Sequence, residues 1–99
     1  MTNENIIIAT ALKHNIYTEE QIKEMLEEKG QIDLHTLIGW KKLSPPNYEY
    51  RIKHGQKGIE TKLWRRKTEK DDTKETYFLT KAYLFSKEQV ELKPIQKDI

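Results

Sequence analysis

The sequence has no cysteine, only three histidines and four glycines, and 35% hydrophobic residues. Without cysteine there is neither a disulfide framework nor a thiolate zinc site, which excludes zinc fingers and zinc ribbons. No apolar run approaches the roughly 18 residues a membrane-spanning helix needs. The start, MTNENIIIAT, lacks the basic residues and long apolar stretch of a secretory signal. These absences predict a soluble, cytoplasmic protein with no membrane partner. Ninety-nine residues with this apolar content suffice for one small core and leave little for a second.

What the chain has in quantity is charge, and it is segregated. Residues 1–40 carry three Lys/Arg against seven Asp/Glu, residues 41–67 nine against two, and residues 68–99 six against seven. The net charges of −4, +7 and −1 sum to +2. The basic middle also holds Trp64, Tyr48 and Tyr50 and begins just after Trp40. Cations interleaved with aromatics suit a polyanion with exposed bases, whereas a charge run alone also describes a solvated sheet face.

The first forty residues read as helical. Ile6, Ile7, Ala9, Ala11 and Leu12 predict a helix over Asn3 to His14. Thr18, followed by Glu19, Glu20 and Gln21, is a capping box opening a second helix. That helix has Ile22, Met25 and Leu26 on one face and stops at Gly30. Asp33 to Leu43 predicts a short third helix or helical turn delivering Lys41 and Lys42 to the basic block. Trp40 is expected to bury against the sheet, with base stacking as its alternative. Pro45 and Pro46 end the helical part.

The remainder reads as strands over Tyr48 to His54, Ile59 to Lys67 and Thr76 to Phe85. Tyr50 to Glu60, YRIKHGQKGIE, predicts a hairpin with a cationic tip: Gly55 and Gly58 bracket Gln56 and Lys57, take positive φ at little cost, and leave amides open to an anion. In Ile59 to Lys67, either alternating face could be inside. If Ile59 and Leu63 are core, Lys62, Trp64 and Arg66 stand exposed as an aromatic flanked by cations. Thr76 to Phe85, apolar on both faces, reads as a central strand covered by helices on one side and partly by something else on the other. Lys67 to Glu75 reads as a solvated loop, in which Asp71 and Asp72 alone make a poor metal site. SKEQVE predicts a short capped turn.

Together these readings give an α+β fold, N-terminal helices packed on a small antiparallel β-sheet with a basic β-hairpin. Residues 1–92 form one domain and 93–99 a loose tail. Phosphate contacts are expected from Lys41, Lys42, Arg51, Lys53, Lys57, Lys62, Arg65 and Arg66, stacking from Tyr48 and Trp64, and backbone contacts from Gly55 and Gly58.

The runs TLIGWKKL (Thr36 to Leu43), YRIKHGQKGIE, LWRRK (Leu63 to Lys67) and YFLTKAYLFSKEQVE (Tyr77 to Glu91) resemble, in order and spacing, the N-terminal single-stranded-DNA-binding domain of ArdC-type antirestriction proteins. The family's Trp-centred helix, basic turn, variable charged loop and closing aromatic-Phe-Ser-x-x-Gln-Val stretch fall on Trp40, Lys53 to Gly58, Lys67 to Glu75 and Phe85 to Val90. The resemblance covers residues 33–92. It departs where Ser44 to Asn47 replace the usual glycine and Gln56 the usual acid. Full-length relatives continue into a metallopeptidase-like domain with HExxH, which this chain lacks, having only His14, His35 and His54.

The resemblance implies a non-catalytic module that binds single-stranded DNA or RNA without a cofactor, in the setting of plasmids, conjugative transposons and phages. The alternative, in the same counter-defence setting, is an anti-CRISPR-type inhibitor that offers the acidic helix to an RNA-guided nuclease or its guide-RNA complex. Chain inventory argues against enzymes, since no nucleophile elbow is present. GxxG at Gly55 to Gly58 would suit a KH domain only between helices, and the flanks read as strands. A weak nuclease built on His54 and Lys57 is the remaining catalytic alternative.

Overall fold

Thr18 closes a capping box with Gln21: its hydroxyl accepts from the Gln21 amide at 3.1 Å, and the Gln21 side-chain oxygen accepts from the Thr18 amide at 2.9 Å. Two orphan donors are satisfied reciprocally, so helix α2 (Glu19–Lys29) starts where the sequence predicts. It ends at Gly30, which takes φ 77°. The preceding helix, α1 (Asn3–Lys13), is capped by Thr2. The computed structural model describes residues 2–67 and 76–95, and continues with β1 (Leu34–His35), α3 (Leu37–Lys42), β2 (Tyr48–Ile52), β3 (Ile59–Lys67) and β4 (Thr76–Ser86). A 3-10 turn, Lys87–Gln89, leads into β5 (Val90–Pro94). The fold is α+β, and no helix among the described residues is long and apolar enough to cross a membrane.

Two antiparallel sheets form, one in the order β1-β4-β3 and one of β2 with β5. β3 and β4 pair over nine positions, from Ile59↔Leu84 to Lys67↔Thr76. This ladder sorts side chains onto two faces. Ile59, Thr61 and Leu63 share one face with Leu84, Ala82 and Thr80. Helices α1 and α2 cover it, burying Ala11, Ile22, Ile32, Leu34, Leu63 and Leu84 as the larger core. Thr10 donates to the Ile6 carbonyl at 2.7 Å, so the Thr61 hydroxyl, 3.3 Å away, donates to Thr10 and ties α1 to β3.

The second core lies on the opposite face of β4, where Phe85 meets Trp40, Val90, Tyr50 and Ile52. Trp40 is 2% exposed, and its Nε1 donates to the Phe85 carbonyl at 2.8 Å. Its role is therefore burial, as the size of the ring demands. His35 meets the Trp40 ring edge-on, with centroids 4.9 Å apart.

Four expectations need correction. Tyr50 to Glu60 is not a hairpin, because β2 pairs with β5 and not with β3, and the glycine-bracketed segment crosses from one sheet to the other. From the second sheet, β2 packs Tyr50 and Ile52 against Trp40 and Phe85. The predicted third helix starts late: Leu34 and His35 pair with Ser86 and Phe85 before α3 begins behind its cap, Thr36. β4 is central only at its end, since Tyr77, Phe78, Leu79 and Tyr83 are all exposed. The tail does not loosen at residue 93, because Lys93 and Pro94 pair with Glu49 and Tyr48, and the Ile95 amide donates to the Asn47 carbonyl at 2.9 Å. The charged connection with Asp71 and Asp72 lies outside the described residues, apart from Lys67 at the end of β3.

His35 gives the fold a pH dependence. Burial holds its imidazole below the ordinary histidine range, the nearby Asp33 opposing this only partly. Its buried Nε2 has no hydrogen-bond partner among the described residues. As pH falls below the unfolded value of about 6.5, the unfolded chain takes up a proton that the folded chain resists. Stability should therefore be full at neutral pH and fall as pH drops below about 6.5. Urea midpoints measured across that range should drop in the native chain and drop less in His35→Gln; equal slopes would contradict the assignment.

Candidate nucleic-acid interface

Helices cover one face of the β3-β4 arm as far as Leu63, and the other runs open beyond Phe85. On it the ladder sets Glu60 opposite Tyr83, Lys62 opposite Lys81, Trp64 opposite Leu79 and Arg66 opposite Tyr77. Trp64 is 37% exposed, Leu79 and Tyr83 each 48%. Leu63 is buried on the helix side, which puts Lys62, Trp64 and Arg66 outward together. An exposed aromatic strip edged by cations is the arrangement on which bases stack while phosphates are neutralised.

Local hydrogen bonds fix the strip. Trp64 sits on the outer edge of β3, where the Asn3 side chain grips its backbone: Nδ2 donates to the Trp64 carbonyl at 3.1 Å, and Oδ1 accepts from the Trp64 amide at 2.7 Å. The amide imitates a neighbouring strand and holds the residue carrying the indole. Lys81 pairs with Glu60 at 3.1 Å, and this hydrogen bond raises the affinity of the ammonium for its proton. Glu60 is thus an acid inside an otherwise basic and apolar surface, and it competes with any anion for Lys81.

The basic loop between the sheets joins this strip at Tyr83. A Cβ on Gly58 would lie 2.7 Å from Tyr83 Cβ and 2.8 Å from Phe85 Cζ, so the glycine exists for close approach. Gly55, at φ 79°, supplies the left-handed turn. Gln89 clamps the loop. Its Oε1 accepts from the Ser86 amide, its Nε2 donates to the Lys57 carbonyl at 2.8 Å and to Gln56 Oε1 at 3.3 Å, and its backbone carbonyl accepts from the Lys53 amide at 2.8 Å. Lys53 and Lys57 are thereby presented at the surface by an anchored backbone.

The other expected contacts fall elsewhere. Arg51 donates to Glu49 at 2.8 Å on the outer face of the second sheet, where Glu49, Arg51, Glu91 and Lys93 balance one another. Tyr48, 43% exposed, shares the Tyr50 face of that sheet. Lys41 and Lys42 are exposed at the end of α3. Arg65 is exposed and lines a groove of about 440 Å³ with Leu37, Ile38, Ile52, Lys81 and Tyr83. His54 is exposed on the loop, and among the described residues no cluster of metal-ligating side chains forms.

Leu79, Lys81 and Tyr83 were not among the residues expected from sequence, because β4 read as covered. The signal was the alternation Tyr77, Leu79, Lys81, Tyr83, which places a cation on the same face as three large apolar side chains. Gln89 was expected as a cap and not as the clamp on the basic loop. Comparison with known protein families, curated proteins and solved structures returns no match.

The Gly58 contact sets a test of the loop's anchoring. The nearest atom a new Cβ would meet, Tyr83 Cβ, moves only with the strand, and the next belong to the buried ring of Phe85. Gly58→Ala should destabilise the fold by about 1–3 kcal/mol in urea unfolding. A neutral substitution would show that the loop is not packed on Tyr83 and Phe85.

Proposed function

We propose that this domain binds single-stranded nucleic acid across the open face of β3 and β4, without catalysis and with weak sequence preference. The observation that carries the reading is the exposed row of Trp64, Leu79 and Tyr83 interleaved with Lys62, Arg66 and Lys81 and continuous with the Lys57 loop. Bases stack on Trp64 and Tyr83, and phosphates meet Lys62, Lys81, Lys57 and Lys53. The resemblance to ArdC-type antirestriction domains supports the same chemistry and a setting in counter-defence by a mobile element. Glu19, Glu20, Glu24, Glu27 and Glu28, exposed on α2 in the helical layer behind the sheet, support a second reading. On it the acidic helix meets the basic channel of an RNA-guided nuclease.

Fluorescence anisotropy with labelled single-stranded DNA and RNA tests the first reading. With about four phosphates neutralised, log K should fall against log salt with a slope near about −3. Trp64→Ala should weaken binding by about 5- to 150-fold, the range of one lost stacking contact of about 1–3 kcal/mol. Glu60→Gln should tighten it, most at low salt, because an acid leaves the surface and Lys81 is released. Salt-independent binding, or no effect of Trp64→Ala, would overturn the reading. No binding to either strand would leave the nuclease as the target to assay.

A further inference from the structure

The grip of Asn3 on Trp64 also fixes the phase of the β3-β4 ladder. Because the Trp64 amide and carbonyl point away from β4, the directly bonded pairs are Leu63 with Thr80, Thr61 with Ala82, and their alternates. The amides and carbonyls of Leu79, Lys81 and Tyr83 therefore point to the opposite edge of β4. On that edge β1 pairs only with Phe85 and Ser86, and no other described strand lies beside it. Among the described residues the two edges of the sheet are thus unlike: Asn3 blocks β3, and no strand pairs with β4 over residues 79–83.

Apart from Lys81, which Glu60 engages, this open edge is also largely apolar. Leu79 and Tyr83 are 48% exposed on one face and Phe78 44% on the other. A long exposed apolar edge is a template for another strand, one that soluble proteins normally cover or charge. Nucleic acid accounts for neither Phe78, which lies on the face opposite Trp64, nor the edge carbonyls, which repel phosphates.

We propose that β4 pairs antiparallel with β4 of a second copy, across a two-fold axis at Thr80, joining the two sheets edge to edge. An antiparallel strand is self-complementary about such an axis, as an isologous dimer requires. This register places Thr80 opposite Thr80, Leu79 opposite Lys81, Phe78 opposite Ala82, and Tyr77 opposite Tyr83. A shift of the axis by one residue to Lys81 would set like charges face to face, which disfavours it. The chosen register also brings Tyr77 of the second copy to the groove lined by Leu37, Ile38, Ile52 and Tyr83, where α3 ends the open edge. The two nucleic-acid faces then lie side by side on one continuous surface.

The experiment uses the full chain without nucleic acid, so its outcome is independent of the binding reading. Sedimentation across a concentration series should show a species of twice the 11.9 kDa chain mass. Leu79→Pro removes an amide that points to the open edge and none that bonds β3, and should leave a folded monomer by circular dichroism. The chain has no cysteine, so Thr80→Cys introduces a single thiol. At a non-hydrogen-bonded pair the two Cα atoms approach within disulfide range, and oxidation should give a covalent dimer. Lys62→Cys, on β3, should not. A native chain that stays monomeric throughout the series overturns the proposal. So does a dimer in which Thr80→Cys fails to cross-link, a result that stands even if Leu79→Pro does not fold.

Discussion

Burial of the end of β4 on both faces is the constraint on which the rest of the structure depends. Leu84 is fully buried against the helices and Phe85 is 8% exposed against Trp40, although the two are neighbours pointing in opposite directions. A 99-residue chain has little apolar surface to spare, and this chain divides it between two clusters sharing one strand. The helices must take one side and the second sheet the other. β2 is drawn away from β3 for that reason, and the segment between them becomes a crossing held by Gln89.

The same division leaves the distal half of the β3-β4 arm covered on one face at most. Covering the end of β4 uses Trp40, Tyr50, Ile52 and Val90. No further apolar element from the described residues reaches Leu79 or Trp64. The arm therefore presents an apolar strip edged by cations while the acidic residues of α2 remain behind the sheet. Opposite charge on opposite layers would orient the molecule in the field of a polyanion, with attraction greatest at the strip. Within the strip, Glu60 engages Lys81.

Local signals in the sequence were legible where a single segment decides the outcome. The capping box at Thr18, the stop at Gly30 and the turn after Ser86 all depend on residues within one element, whereas the choice between the two faces of Ile59 to Lys67 waited on the burial of Leu63. Pairing was not legible. Tyr50 to Glu60 has the alternation and glycines of a hairpin, and the same pattern serves a chain that leaves one sheet for another. What decides between them is Trp40 and Phe85, distant in sequence, which claim Tyr50 and Ile52. Gly58 likewise reads as a turn residue, and the reason for it is the approach of Tyr83. Leu34 and His35 are too short a strand to be seen without Phe85 and Ser86 beside them. Arg51 reads as an available cation until its partner, Glu49, is placed two residues away on the same strand face.

The two tryptophans report on the central claim directly, since Trp40 is buried and Trp64 stands on the open face. Tryptophan emission should be followed while single-stranded DNA is added to the native chain and to Trp64→Phe, in which only Trp40 contributes. Stacking on the strip predicts saturable quenching in the native chain and little change in Trp64→Phe. Equal quenching in both, or binding with no change in either, would place the nucleic acid elsewhere on the molecule and contradict the account.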